Sequence, residues 1–483
     1  MVERFKLADD LEISRVLTGL WQIADMERNG EDLDPYKTSS YMEDYVKAGF
    51  TSFDMADHYG SSEVITGTFK SQNQLGDQIQ LFTKWVPAPP ITSKEQVVEA
   101  VKRSLERMQV ESIDLLQYHA WNYADPEWLD TMFWLQELKY EGLIKHLGVT
   151  NFDAAHLRVA RASGIEIISN QICHSLIDQR AKDNMYEVCD LYDVKILAFG
   201  TLAGGFLSEK WLGKKEPSEN ELKTWSQMKY KRFIDASGGW GIFQKLLNVL
   251  NEIAQNHKTS IANISSRYML NQPQVAGIIL GARLGESNHI NENLEIFEIQ
   301  LTDKEISNIK SVQSEMNAIP GGCGDEYRKP PFLTASGDLS HHIDALPDVY
   351  TPYESKGKHK IDSGTIWEDI AGFSRALKSG NRILVSGTTA THKDRMIGGN
   401  DPAAQTHFII DKIKASIEAL GGTLEDVDRT RIYIHEMDDW EAVSRAHGDR
   451  FKEIRPANTL IQAGIIGQGY KVEMEAEATI SNV

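Results

Sequence analysis

Cysteine is scarce. The chain has three, Cys173, Cys189 and Cys323, among 483 residues. Their spacing matches no metal motif, so few thiols exclude a disulfide-stapled scaffold, and they fit a reducing compartment. Basic charge is short too: 51 lysines and arginines stand against 70 acidic residues, a net charge of −19. That balance argues against a nucleic-acid surface or an anionic membrane as partner, though a local basic pocket for a phosphate is compatible with it. No apolar run is long enough to span a bilayer, and the N-terminus carries no secretory pattern, so a cytoplasmic location is expected. A glycine-rich phosphate turn is also missing after the first strand-like run, "VLTGLWQIAD". Its absence argues against a doubly wound dinucleotide fold.

A chain of this length exceeds one core, and two domains are expected. Over residues 1–318, eight short β-rich runs alternate with amphipathic segments. They are "VLTGL", "FTSFDMA", "IQLFTKW", "IDLLQYH", "HLGVT", "IEIISNQ", "VKILAFG" and "VAGIILG". One intervening helix is predicted from Ser93 to Gln109, with Ser93 as N-cap and Val97, Val98, Val101 and Leu105 on its apolar face. Eight strands alternating with helices predict a (β/α)8 barrel. Residues 319–357 are rich in Pro, Gly, Ser and charge and read as a linker or an extended arm against the barrel. Residues 358–483 predict a small α+β domain. Its helices are expected on one face of a sheet, leaving an apolar face for self-association to cover.

In a barrel the site forms where strands end. The second strand ends in Asp54, followed by Tyr59; the third gives Lys84 and the fourth His119. A lone histidine at a strand end is scaffolding more often than a catalyst. An acid, a phenol, an ammonium and an imidazole on consecutive strand ends point to carbonyl reduction. Hydride attack leaves an oxyanion that needs a proton. A phenol can supply it if a neighbouring lysine lowers its pKa and a carboxylate holds that lysine charged. A histidine can orient the carbonyl oxygen. Asp54, Tyr59, Lys84 and His119 fill those four roles. Trp21, Trp85 and Trp121 stand at or just past strand ends and are expected to wall an apolar substrate pocket.

Residues 1 to about 315 resemble the aldo-keto reductases in "FDMADHYG", "FTKW", "IDLLQYH", "GVTNF", "NQICHS" and "GARLGESNHINEN". The resemblance implies a TIM barrel, with Asp54, Tyr59, Lys84 and His119 as the catalytic tetrad. It implies that Thr150, Asn151 and Gln171 hold a nicotinamide carboxamide and that Phe199 stacks on the ring. The loop "GTLAGGFLS", with Gly200 and Leu202, would cover the pyrophosphate. Arg283 and Asn293 match the region that reads the 2′-phosphate of NADP. His289 stands where many members carry a second arginine, which leaves NAD as the alternative cofactor.

The C-terminal third is similar to the Rid (RidA/YjgF) proteins, imine and enamine deaminases, in "GFSRALKSGNRILVSGT", "LGGTLEDVDRTRIYIHEMDDWEAV" and "RPANTLIQAGIIGQGYKVEMEAEA". The resemblance implies a cleft with Ser386 and Glu473 and a trimeric assembly. Asn458 occupies the position of the family's carboxylate-binding arginine. Three whole-chain readings follow. The first is an NADP-dependent reductase of a small carbonyl compound, with the Rid-like domain serving assembly or ligand binding. The second is a bifunctional enzyme whose Rid-like domain hydrolyses an imine to the carbonyl that the barrel reduces. The third is a non-catalytic nucleotide-sensing subunit. The complete tetrad favours catalysis over sensing, and Asn458 favours the first reading over the second.

Overall fold

The computed structural model describes residues 1–90, 93–182, 184–330, 333 and 337–481. The chain divides into two compact units. One comprises Met1–Trp121, Trp134–Ala154 and Glu166–Asp344; the other comprises Asn122–Phe133, Ala155–Ile165 and Ala345–Val483.

The first unit opens with an antiparallel hairpin, β1 (Arg4–Ala8) and β2 (Leu11–Ser14), which is too short and too mixed in polarity to register as a strand signal. Its Leu7, Leu11 and Ile13 share a core cluster with Leu17, Phe82, Leu115, Leu197 and Ala276 of the barrel strands. Eight strands follow: β3 (Val16–Gly19), β4 (Ser52–Asp54), β5 (Gln80–Trp85), β6 (Ile113–Tyr118), β7 (Ile144–Thr150), β8 (Ile167–Cys173), β9 (Lys195–Phe199) and β10 (Val275–Gly281). They pair in parallel in chain order, and β10 closes on β3 with Ile278 opposite Val16. All eight predicted runs become barrel strands, because each is an apolar stretch that ends in polar residues at one rim.

The helices follow equally local rules. Lys94–Met108 is capped by Ser93, whose side chain accepts from the Gln96 N–H while Gln96 reaches back to the Ser93 N–H. That reciprocal cap satisfies two donors a helix start otherwise leaves open. The helix buries Val97, Ala100, Val101, Leu105 and Met108. Each Val or Leu so buried contributes about 1.5–3 kcal/mol. A charge at Val101 would remove that contribution and strand itself in the core.

The second unit holds a seven-stranded sheet ordered β11–β12–β13–β14–β19–β17–β18. Its strands are β11 (Tyr353–Ser355), β12 (Lys358–Ile361), β13 (Ala376–Ser379), β14 (Arg382–Thr389), β17 (Val427–Ile434), β18 (Ala457–Gln462) and β19 (Val472–Thr479). A two-stranded ribbon, β15 (Thr391–His392) and β16 (Arg395–Met396), stands apart from it. Helices Pro402–Glu418 and Trp440–Phe451 pack together on one face. Along β19, Val472, Met474, Ala476 and Ala478 are buried, and the intervening glutamates turn to the other face. The expectation of an apolar second face is corrected here. Arg431 pairs with Glu475 at 3.3 Å and with Glu477 at 2.9 Å, and Arg382 reaches Glu477 at 2.9 Å. Leu384 and Ile461 are exposed among these charges. Strand alternation sends every second residue of β19 to this side, and those residues are acids. Among the described residues, no helix is long and apolar enough to cross a membrane.

Candidate active site

The ends of β4, β5 and β6 place three of the expected residues together. Lys84 Nζ donates to Asp54 Oδ2 at 2.7 Å and to the Met55 carbonyl at 2.6 Å. Asp54 Oδ1 accepts from Gln171 Nε2 at 2.7 Å and from Gln117 Nε2 at 3.3 Å. Asp54, Lys84 and His119 are all buried. Burial pushes the Lys84 pKa down, with the Asp54 carboxylate opposing. A buried charge is retained when it is paired and hydrogen-bonded, and this pair is both.

Tyr59 lies beyond β4, with the Lys84 ammonium 4.8 Å from its ring centroid and Trp21 edge-on at 5.0 Å. The expectation that Lys84 lowers the Tyr59 pKa is corrected. Burial raises that pKa well above the ordinary value, and Asp54 adds to the rise. The ammonium is hydrogen-bonded to Asp54. Tyr59 is therefore a fully protonated phenol at neutral pH.

Burial, with Arg328 next, drops the His119 pKa well below the ordinary value, so the ring is neutral. Its Nδ1 is 3.4 Å from the Thr150 carbonyl, a long contact, and its Nε2 has no partner among the described residues. His119, Tyr59, Lys84 and Asp54 line one cavity of about 460 Å³.

The same cavity is lined by Thr150, Asn151, Gln171, Phe199, Gly200, Leu202 and Arg283. Asn151 has a left-handed backbone (φ 61°), and its buried Oδ1 has no partner among the described residues. Gln171 spends its N–H groups on Asp54 and Gln117, leaving its carbonyl end for a ligand. Gly200 has φ 73°, and a Cβ there would stand 2.1 Å from the Tyr230 hydroxyl. Only glycine fits that turn. Arg283 shares its charge with Glu286 at 3.1 Å. His289, which bonds Glu292, and Asn293 do not line the cavity.

Of the three expected tryptophans, Trp21 and Trp121 line the cavity and Trp85 does not. Trp85 follows Lys84 on β5, so alternation turns it to the opposite side, where it packs on Tyr118 at 5.8 Å. Trp121 is anchored by its indole N–H to the Pro87 carbonyl at 2.7 Å.

The cavity also contains Tyr327 and Lys229, which sequence reasoning missed. Tyr327 belongs to the stretch read as linker or arm, which runs with the first unit as far as Asp344. That stretch has no periodicity to flag it. In the second unit, Glu473 Oε1 would lie 2.2 Å from a Cβ on Gly387, next to Ser386, whose hydroxyl donates to the Ser374 carbonyl. Asn458 does not join them. Its amide donates to Thr430 Oγ1 at 2.9 Å, on the helix-covered face, whereas Glu473 points to the other. Within one chain, strand alternation sends Asn458 and Glu473 to opposite faces of the sheet.

The aldo/keto reductase family model matches residues 15–314, well over half of the chain. The chain belongs to the aldo/keto reductase family. This aldo-keto reductase is 29% identical over 319 residues to the uncharacterized oxidoreductase YqkF of Bacillus subtilis, covering 62% of the chain and 93% of that protein. Its fold is like that of the thermostable aldo-keto reductase Tm1743, with a TM-score of 0.50 and 24% identity over 65% of this chain and 99% of that one. Residues 366–480 match a second family, described as endoribonuclease L-PSP, which answers to the Rid resemblance. There the reductase is 37% identical over 125 residues to an uncharacterized protein of Streptomyces coelicolor, covering 26% of this chain and 93% of that protein. The chain is an aldo-keto reductase fused to a Rid-like domain.

Proposed function

We propose that this aldo-keto reductase converts an aldehyde or ketone to an alcohol with NADPH, using Tyr59 as the general acid. The observation that carries the reading is the meeting of Tyr59, the Asp54–Lys84 pair and the unpartnered His119 Nε2 around one cavity. The nicotinamide site is supported by the orphaned Asn151 Oδ1, which suits a carboxamide N–H, and by the glycine-only turn at Gly200. Thr150, Asn151 and Gln171 would hold the carboxamide, Phe199 the ring face, the loop with Gly200 and Leu202 the pyrophosphate, and Arg283 the 2′-phosphate. Held there, the cofactor would supply the hydride that reduces the carbonyl carbon.

The chain's own groups handle the oxygen. Tyr59 donates its proton to the developing alkoxide, a far stronger base than an ordinary phenolate. Lys84 and Asp54 set the polar environment of the phenol. His119 is neutral; moving its single proton to Nε2 gives up only the long contact to Thr150 and presents an N–H to the carbonyl oxygen.

Tyr59→Phe keeps the ring and removes the proton. It should lower kcat by roughly 10²-fold or more. NADPH binding, read by quenching of protein fluorescence, should persist. A Phe variant with most of the original kcat would refute the assignment. For the Rid-like domain we propose assembly, as a trimer, over imine hydrolysis. Asn458 offers no charged fork for a carboxylate.

A further inference from the structure

The cavity holds a second phenol–ammonium–carboxylate set beside the one already described. Lys229 Nζ donates to the Tyr327 hydroxyl at 2.7 Å and lies 3.7 Å from Glu326 Oε1. The ammonium sits over the rings of Tyr327 at 4.4 Å and Phe199 at 5.1 Å. Glu326 Oε2 accepts from Arg180 at 2.9 Å, and Arg180 is chelated by Asp178 at 2.7 and 2.9 Å. The backbone that carries Tyr327 is fixed by its neighbour: Arg328 donates to the Asn151 carbonyl at 2.7 Å and the Cys323 carbonyl at 2.8 Å. Tyr327 and Arg328 lie outside residues 15–314, so the family match assigns them nothing.

Because Lys229 donates to the phenol oxygen, the phenol's own proton must point elsewhere. Among the described residues it has no acceptor, and Tyr327 lines the cavity. Its ring lies edge-on to His119, with centroids 6.1 Å apart. His119 and Tyr327 thus present two donors side by side to one cavity. An ammonium at the phenol oxygen polarises the O–H and makes it the stronger donor.

We propose that Tyr327, positioned by Lys229 and Glu326, donates a hydrogen bond to the substrate and selects carbonyl compounds with a second carbonyl oxygen on the adjacent carbon. The proposal rests on the reductase reading. It favours a neutral acceptor over a carboxylate, because the cluster is already balanced. Lys229 and Arg180 are matched by Glu326 and Asp178, so this cluster itself carries no net charge.

The test uses NADPH oxidation by the full-length protein on ethyl pyruvate, which has the second oxygen on the adjacent carbon, and ethyl acetoacetate, which has it one carbon further. The ratio of their kcat/KM values cancels general losses. Tyr327→Phe should lower that ratio severalfold, about the worth of one neutral hydrogen bond. Lys229→Met, which keeps the phenol but removes its polarising charge, should lower it as well, and decides the matter if the Phe variant no longer binds NADPH. A ratio unchanged in the variant that binds NADPH overturns the proposal. Preference for pyruvate over ethyl pyruvate, lost in Lys229→Met, would overturn the neutral acceptor in favour of a carboxylate. Turnover of simple aldehydes with no preference between the esters defeats only this inference, whereas no turnover of any carbonyl defeats the reductase reading itself.

Discussion

Glu326 is fully buried, and its carboxylate is the hub of the cluster under Tyr327. Burial alone would raise its pKa, but Arg180 and Lys229 outweigh that and hold it at about 2, below the ordinary 4.5. A difference of that size between folded and unfolded chains is worth about 3 kcal/mol at neutral pH. The folded pKa is the lower one. The stabilisation is therefore complete above the unfolded value and is lost as pH falls towards 2. Glu326→Gln keeps the shape, removes the charge and leaves Lys229 buried with Tyr327 as its remaining close partner. It should lower the midpoint of the first thermal transition at pH 7 by about 5 °C or more. Melting curves of both proteins between pH 7 and pH 3 check the mechanism. The gap should narrow steadily below about pH 5, as the original chain loses what the variant never had. An unchanged midpoint would mean that Arg180 and Lys229 do not depend on this acid. A gap of constant size across the pH range would refute the charge-based account and leave only packing.

Arg283→Ala should weaken NADPH binding roughly tenfold or more, the loss of one charged hydrogen-bond partner, and NADH binding far less; equal losses in fluorescence titrations would show that Arg283 does not read the 2′-phosphate. His174 is fully buried, and burial drops its pKa to about 4, so the unfolded chain binds its proton first as pH falls. The first transition should therefore move down between about pH 6.5 and pH 4, and His174→Gln should flatten that stretch of the profile. Light scattering on the full-length chain should return the mass of a trimer; a monomer would remove assembly as the role of the Rid-like domain.

The barrel was legible because its signal is local. Each strand is an apolar run with a polar end, and Asp54, Lys84 and His119 each stand at such an end. The resemblance then pointed to Thr150, Asn151, Gln171, Phe199 and Gly200, which all line the cavity. Trp85 was misplaced because adjacency to Lys84 was read as sharing its side, whereas neighbours on a strand face opposite ways. The charged face of the second sheet follows the same rule: Glu473, Glu475 and Glu477 alternate with buried apolar residues in "VEMEAEAT". Tyr327 and Glu326 could not be read. Their partners Lys229 and Arg180 lie about a hundred residues or more away in sequence, in segments whose periodicity says nothing about pairing.

The junction between the two families carries a consequence for how such a chain can be rearranged. The barrel family match ends at residue 314, yet the first unit runs to Asp344. A recombination event, or a laboratory splice, placed at the family boundary would separate Lys229 and Arg180 from their shared acid, and the cavity-lining Asn151 backbone from the guanidinium that braces it. The stretch between the boundaries is inherited with the reductase. A join that keeps this cluster intact lies downstream of it.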